Sequence, residues 1–94
     1  MSVPEEEKNP YSKTLRHRIA RNAGHLNTVK KMIDDGMPFD KVMIQLSAVR
    51  ASLTSISNKL MAEHVDRAIQ DAVKSGDMTN IAEVYQSVEK YLGK

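Results

Sequence analysis

Residues 38–75 read PFDKVMIQLSAVRASLTSISNKLMAEHVDRAIQDAVKS, and this stretch decides the fold. Its apolar side chains recur at alternating spacings of three and four, the pattern of a helix with one apolar seam. The seam comprises Phe39, Val42, Leu46, Val49, Leu53, Ile56 and Leu60. A second apolar line continues to Val73, and no proline or glycine intervenes before Gly76. At 1.5 Å per residue, the sequence predicts a single helix roughly 55 Å long.

A shorter helix is predicted upstream. Asn9 followed by Pro10 resembles a helix cap followed by a first-turn proline, and Ser12 is an alternative cap. Gly36 is expected to end this helix. Its apolar residues share one face and comprise Leu15, Ile19, Leu26, Val29 and Ile33. Asn22 falls on the same seam, where it would either fix the register of packing or, in a slightly rotated helix, yield the inward position to Ala23.

A third helix is predicted near the end of the sequence, where Asn80 and Glu83 are spaced like a capping box. No strand-like alternation is present, so the fold class is all-α. We expect helices at about 10–35, 38–75 and 80–92, within a single helical domain at 10–94. Residues 1–9 are polar and acidic, and we expect them to form a flexible leader.

The unequal helix lengths predict an oligomer. The first helix, about 35 Å long, cannot cover the second along its whole length. Apolar residues nevertheless continue to Val73, and an exposed apolar patch of that size is rare in a monomer. An antiparallel four-helix bundle formed by two chains would bury these residues. We therefore expect a homo-oligomer, either a dimer or a dimer-of-dimers tetramer.

The positive charges are concentrated in one quarter of the chain. The net charge is only +2, yet no acid lies between Glu7 and Asp34. That interval holds seven of the fourteen lysines and arginines: Lys8, Lys13, Arg16, Arg18, Arg21, Lys30 and Lys31. A basic block can be merely a solvated helix face. The complete absence of acids favours a polyanionic partner such as duplex DNA.

Several classes of protein are excluded or disfavoured. The sequence contains no cysteine, which excludes disulfides, thiolate metal sites and cysteine nucleophiles. The four glycines stand alone, so there is no phosphate-binding loop, and no pairing of a nucleophile with a base is visible. We therefore expect that the chain is not an enzyme. No apolar run reaches the roughly 20 residues needed to span a bilayer, so we expect a soluble, cytoplasmic protein without a membrane partner.

The order of several short motifs resembles a known family. They are Arg18-Ile19, Gly24-His25-Leu26, Met32-Ile33-Asp34-Asp35-Gly36, Gln45-Leu46-Ser47-Ala48-Val49-Arg50, and Asn58-Lys59-Leu60-Met61 leading to His64. In order and spacing they resemble the copper-, nickel–cobalt- and formaldehyde-responsive repressors typified by CsoR, RcnR and FrmR. The resemblance covers roughly residues 13 to 92.

This resemblance implies three helices, a four-helix-bundle dimer and a disc-like tetramer. It also implies binding of double-stranded operator DNA through basic residues, and release of the DNA when an effector binds. It places a DNA-contacting arginine at Arg18. From helix faces we add Arg21 and Arg50, with Lys13 and Arg16 in support. His17 lies in the same basic run, and His25 belongs to the pattern of the first helix.

The chain departs from the family at the sensor site, which the resemblance builds from a cysteine, a histidine and a second cysteine or histidine. The first position is Phe39, the histidine is retained as His64, and the last position is Ala68. Copper is disfavoured because cuprous ion prefers sulfur ligands. The effector and any cofactor stay unknown, and a chain without any cofactor is one of the open alternatives.

Two alternatives to a repressor that has lost the thiol site stay open. The first is an oligomeric protein-interaction module of the same fold. The second is a sensor of a non-thiophilic metal or a non-metal ligand that uses His64.

Overall fold

The computed structural model describes residues 9–92 and contains three α-helices. They are α1 (Lys13–Asp34), α2 (Phe39–Ser75) and α3 (Thr79–Leu92), and no strand occurs in the described range. The all-α class is therefore confirmed. The chain divides into two compact units between Asn58 and Lys59. Of the predicted leader, residues 1–8 lie outside the described residues, and the single domain at 10–94 stays a prediction.

The first helix begins later than the Asn9–Pro10 pair suggests. Ser12 has an extended backbone with ψ 155°, and its hydroxyl accepts a hydrogen bond from the Leu15 N–H. The side chain of Asn9 accepts instead from the Tyr11 N–H at 2.9 Å. That contact closes a local turn, so Ser12 is the residue that caps α1.

Glycines end the first two helices, as the sequence predicts. Gly36 and Gly76 have φ of 69° and 77°, a conformation that costs little only for glycine. The predicted capping box at the third helix is wrong, because Asn80 already lies inside α3. Asp77 does the capping, since its carboxylate accepts from the Thr79 N–H at 2.9 Å and from the Thr79 hydroxyl at 2.7 Å.

In the first unit, α1 packs against the first half of α2. Buried residues recur every seven positions on α1 at Leu15, Asn22 and Val29, and on α2 at Val49 and Ile56. Asn22 is buried and Ala23 is exposed, so Asn22 and not Ala23 is the inward residue, while its role in fixing the register of packing stays a prediction. The Asn22 amide donates to the Val49 carbonyl at 3.5 Å, which is a long hydrogen bond.

The second unit, Lys59 to Leu92, has a small core. Ala68 and Ala72 on α2 and Val84 on α3 are its buried apolar residues. Small side chains allow two helices to approach closely, but they bury little apolar surface. In neither unit does the described chain contain a helix that is long and apolar enough to cross a bilayer.

Candidate nucleic-acid interface

A cleft of about 180 Å³ lies between α1 and α2 in the first unit. Its described lining residues are Arg18, Arg21, Asn22, His25 and Ser52. The positions on α1 are three and four residues apart, so they share one face of that helix. The cleft therefore brings together two of the arginines predicted to bind DNA, Arg18 and Arg21.

Polar contacts from α2 hold two side chains of this cleft in place. The Arg18 guanidinium donates through Nη2 to the Ser55 hydroxyl at 2.7 Å. The His25 ring nitrogen Nε2 lies 2.8 Å from Oε1 of Gln45. Both contacts join α1 to α2, so the orientation of Arg18 and His25 depends on the packing of the two helices.

The positive charge of α1 is concentrated in its first half. Lys30 and Lys31, near the end of the helix, form ion pairs with Asp34 at 2.7 Å and Asp35 at 3.3 Å. Arg18 and Arg21 have no ion pair with a described residue. Because the lysines are already partnered, the arginines are the part of the basic block that is better placed to attract a polyanion.

The other predicted contacts do not line this cleft. Arg50 is exposed on α2 and likewise forms no ion pair with a described residue. Lys13 is exposed in the first turn of α1, whereas Arg16 is partly buried and its Nε has no hydrogen-bond partner among the described residues. Sequence reasoning missed Ser52 and Ser55. They share a helix face, but that signal becomes informative only once the packing of α2 on α1 is known.

His64 lies in the second unit, beside a cleft of about 210 Å³ between α2 and α3. The described residues that line this cleft are His64, Arg67, Ala68, Asp71, Asn80, Glu83 and Val84. Ala68 is buried there. Phe39 belongs to the first unit, where the residue is 74% exposed. Of the three sensor positions implied by resemblance, the second unit itself thus contains only His64 and Ala68.

The donors around His64 do not fit a thiophilic metal. The sequence has no thiolate to offer, and cuprous ion prefers sulfur to imidazole. His64 and Asp71 both line the cleft. Yet nowhere between residues 9 and 92 do three histidine, aspartate or glutamate side chains come close enough together to hold a metal ion.

The known proteins that this chain resembles are transcriptional regulators. The family model for metal-sensitive transcriptional repressors matches residues 11–90. The copper-sensing transcriptional repressor CsoR of Bacillus subtilis (strain 168) is 28% identical over 82 residues, which cover 76% of this chain and 81% of that protein. The solved structure of the nickel-responsive transcriptional regulator InrS matches with a TM-score of 0.72 at 27% identity, covering 95% of this chain and 98% of InrS.

These relatives are transcriptional regulators and not enzymes, which confirms the expectation that the chain is not an enzyme. The family-model match includes α1, α2 and all of α3 except its last two residues, and so contains the arginine cleft and His64. The chain therefore belongs to the family of metal-sensitive transcriptional repressors, as a member without cysteine.

Proposed function

We propose that this chain represses transcription by binding double-stranded operator DNA as a homo-oligomer, and that binding of an effector releases the DNA. The observation that carries the proposal is the pair Arg18 and Arg21, which line one cleft and form no ion pair with a carboxylate in the described part of the chain. Guanidinium groups bind phosphate through charge and through paired hydrogen bonds. Release of counterions from DNA then makes such binding strongly dependent on salt.

An unburied apolar seam supports the homo-oligomer. On α1, Ile19, Leu26 and Ile33 recur every seven residues and are 47%, 48% and 59% exposed. On α2, Leu46 and Leu53 are also exposed, seven residues apart. Two heptad-spaced stripes of this kind are typical of the seam that a partner helix covers. A second copy of the chain supplies matching stripes, as in an antiparallel four-helix bundle.

We also propose that the effector is not a thiophilic metal ion. CsoR is named for copper and InrS for nickel, but the donors around His64 in this chain are imidazole, carboxylate and amide groups. The same cleft contains Arg67 beside the carboxylates of Asp71 and Glu83. A polar small molecule with both donor and acceptor groups suits this mixture of charges better than a soft metal ion does.

The repressor proposal is tested by measuring binding to the DNA upstream of the protein's own gene, using fluorescence anisotropy over a range of salt concentrations. We expect the double variant Arg18→Ala, Arg21→Ala to lose operator binding while keeping its helix content and oligomer size. Lys30→Ala with Lys31→Ala is the matched control, because these two charges lie on the same helix but are ion-paired. Operator binding that survives loss of both arginines would refute the assignment.

The effector proposal is tested on the preformed complex with operator DNA. Cuprous ion is added, with His64→Ala as the control. We expect no release of DNA by this ion. Release from the wild-type complex that His64→Ala abolishes would contradict the proposal and assign His64 to a metal site.

A further inference from the structure

The cleft between α1 and α2 has a composition suited to an anion. Arg18 and Arg21 supply two positive charges, Ser52 supplies a neutral hydroxyl, and none of the described lining residues is a carboxylate. Its volume, about 180 Å³, is below the roughly 300–1,000 Å³ of typical small-molecule sites. The cleft therefore suits one compact anionic group better than a whole nucleotide.

A buried polar side chain also reaches this cleft. Asn22 is only 7% exposed and belongs to the lining. Its amide nitrogen makes one long hydrogen bond of 3.5 Å to the Val49 carbonyl. An amide can donate two hydrogen bonds, and a buried polar group is costly when it is poorly partnered. A ligand oxygen atom in the cleft would accept a further hydrogen bond from the Asn22 amide.

Two side chains of the cleft, one of them the charged Arg18, are held in position by contacts with α2. Arg18 is hydrogen-bonded to Ser55 at 2.7 Å, and His25 is in contact with Gln45 at 2.8 Å. Side chains that are oriented beforehand lose less conformational freedom when they bind a ligand. A surface cluster of flexible lysines would lack this advantage.

We propose that this cleft binds one backbone phosphate of the operator duplex, with Ser52 donating a hydrogen bond to a phosphate oxygen between the charges of Arg18 and Arg21. The assignment rests on the proposed function, because it identifies the group on DNA that these arginines contact. Ser52 carries no charge, so its contribution to the binding affinity can be measured separately from the contributions of Arg18 and Arg21. Loss of an uncharged donor weakens affinity at every salt concentration, whereas loss of a cation also reduces the slope of affinity against salt.

The test compares Ser52→Ala with Ser57→Ala, an exposed serine on α2 that is not part of the cleft lining. Both substitutions favour the helix equally. We expect Ser52→Ala to weaken operator binding by about threefold to tenfold, the worth of one hydrogen bond. The slope of affinity against salt should be unchanged, and Ser57→Ala should stay within about twofold of wild type.

A second arm replaces chloride by inorganic phosphate at equal ionic strength. We expect phosphate to compete with the duplex for wild type more strongly than for Ser52→Ala. Equal DNA affinities of Ser52→Ala and Ser57→Ala would overturn the assignment while leaving the repressor proposal intact. Competition by inorganic phosphate without any effect of Ser52 on DNA affinity would overturn it too, in favour of a site for free phosphate. A wild-type protein that binds no duplex would instead refute the proposed function itself.

Discussion

Ser55 shows how an uncharged residue can contribute to an electrostatic interface. It touches Arg18 through a hydrogen bond of 2.7 Å and lies outside the lining of the cleft, so it acts as a positioning residue. We expect Ser55→Ala to weaken operator binding by about twofold to fivefold, because Arg18 must then be ordered during binding. The dependence on salt should not change, since no charge is lost.

Ser55→Thr separates this positioning role from a general effect on α2. Threonine retains the hydroxyl, so we expect it to restore affinity in the same anisotropy assay. If Ser55→Thr binds as weakly as Ser55→Ala, the hydrogen bond to Arg18 is not what matters at this position.

Asn22 places a polar side chain on the buried face of α1. It is buried, like Leu15 and Val29 on the same helix, and within residues 9–92 its side chain makes one hydrogen bond, a long one. Replacement by a leucine removes a poorly partnered polar group and adds apolar contact. We expect Asn22→Leu to raise the free energy of unfolding by about 1 kcal/mol, measured by urea denaturation at fixed protein concentration. A lower midpoint would mean that the amide is better satisfied than its geometry indicates.

At the scale of elements, the start of α3 depends on one carboxylate. The backbone N–H and then the hydroxyl of Thr79 donate hydrogen bonds to Asp77 and hold the pKa of that carboxyl below its usual value. A depressed pKa means that the stabilisation is fully present above the pKa of the unfolded chain, about 3.9. It is lost as the pH falls through the lower folded value.

We therefore expect Asp77→Ala to lower the melting temperature at neutral pH, as followed by circular dichroism. The difference in melting temperature between Asp77→Ala and wild type should become smaller as the pH falls below about 4. Asp77→Asn is the matched control, because it keeps an acceptor oxygen without the charge and should lose less stability. A difference that is the same at every pH would show that the ionised carboxylate contributes nothing.

Helix boundaries were largely predictable, whereas side-chain partnerships between helices were not. Gly36 and Gly76 marked helix ends because their left-handed backbone is a local property. The capping residues were harder to predict. The side chains of Asn9 and Asn80 are chemically as suitable as those of Ser12 and Asp77. Only the path of the backbone decides which of them caps a helix.

The residues of the candidate site were likewise predictable on one helix and not on the other. Arg18 and Arg21 could be found from charge and helical spacing along one helix. Ser52, Ser55 and Gln45 lie on the other helix, and their spacing does not reveal which turn of α1 they face. Their roles depend on how α2 packs against α1, which is a tertiary property that one sequence specifies only indirectly.

At the scale of the whole molecule, affinity for DNA is expected to depend on the number of chains assembled. A single chain offers one cleft with two arginines. Chains joined in an oligomer raise the effective concentration of each further cleft at the duplex, so weak contacts combine into strong binding. Each additional phosphate contact should also make the slope of log affinity against log salt concentration steeper by about 0.9.

Leu26→Lys tests this dependence, because Leu26 lies in the middle of the exposed stripe on α1 and is 48% exposed. A lysine there places a charge in the proposed seam while adding a positive charge to the helix near the arginine cleft. Electrostatics within one chain would thus strengthen DNA binding, whereas loss of assembly would weaken it. We expect the loss of assembly to outweigh the added charge, so that the variant forms smaller particles in sedimentation equilibrium and binds the operator about a hundredfold more weakly.

The control is Ile44→Lys, which adds the same charge at a position exposed outside the stripe. This variant should keep both its oligomeric state and its operator affinity. Tight operator binding by a monomeric Leu26→Lys protein would show that one chain suffices, and the oligomeric part of the proposed mechanism would have to be abandoned.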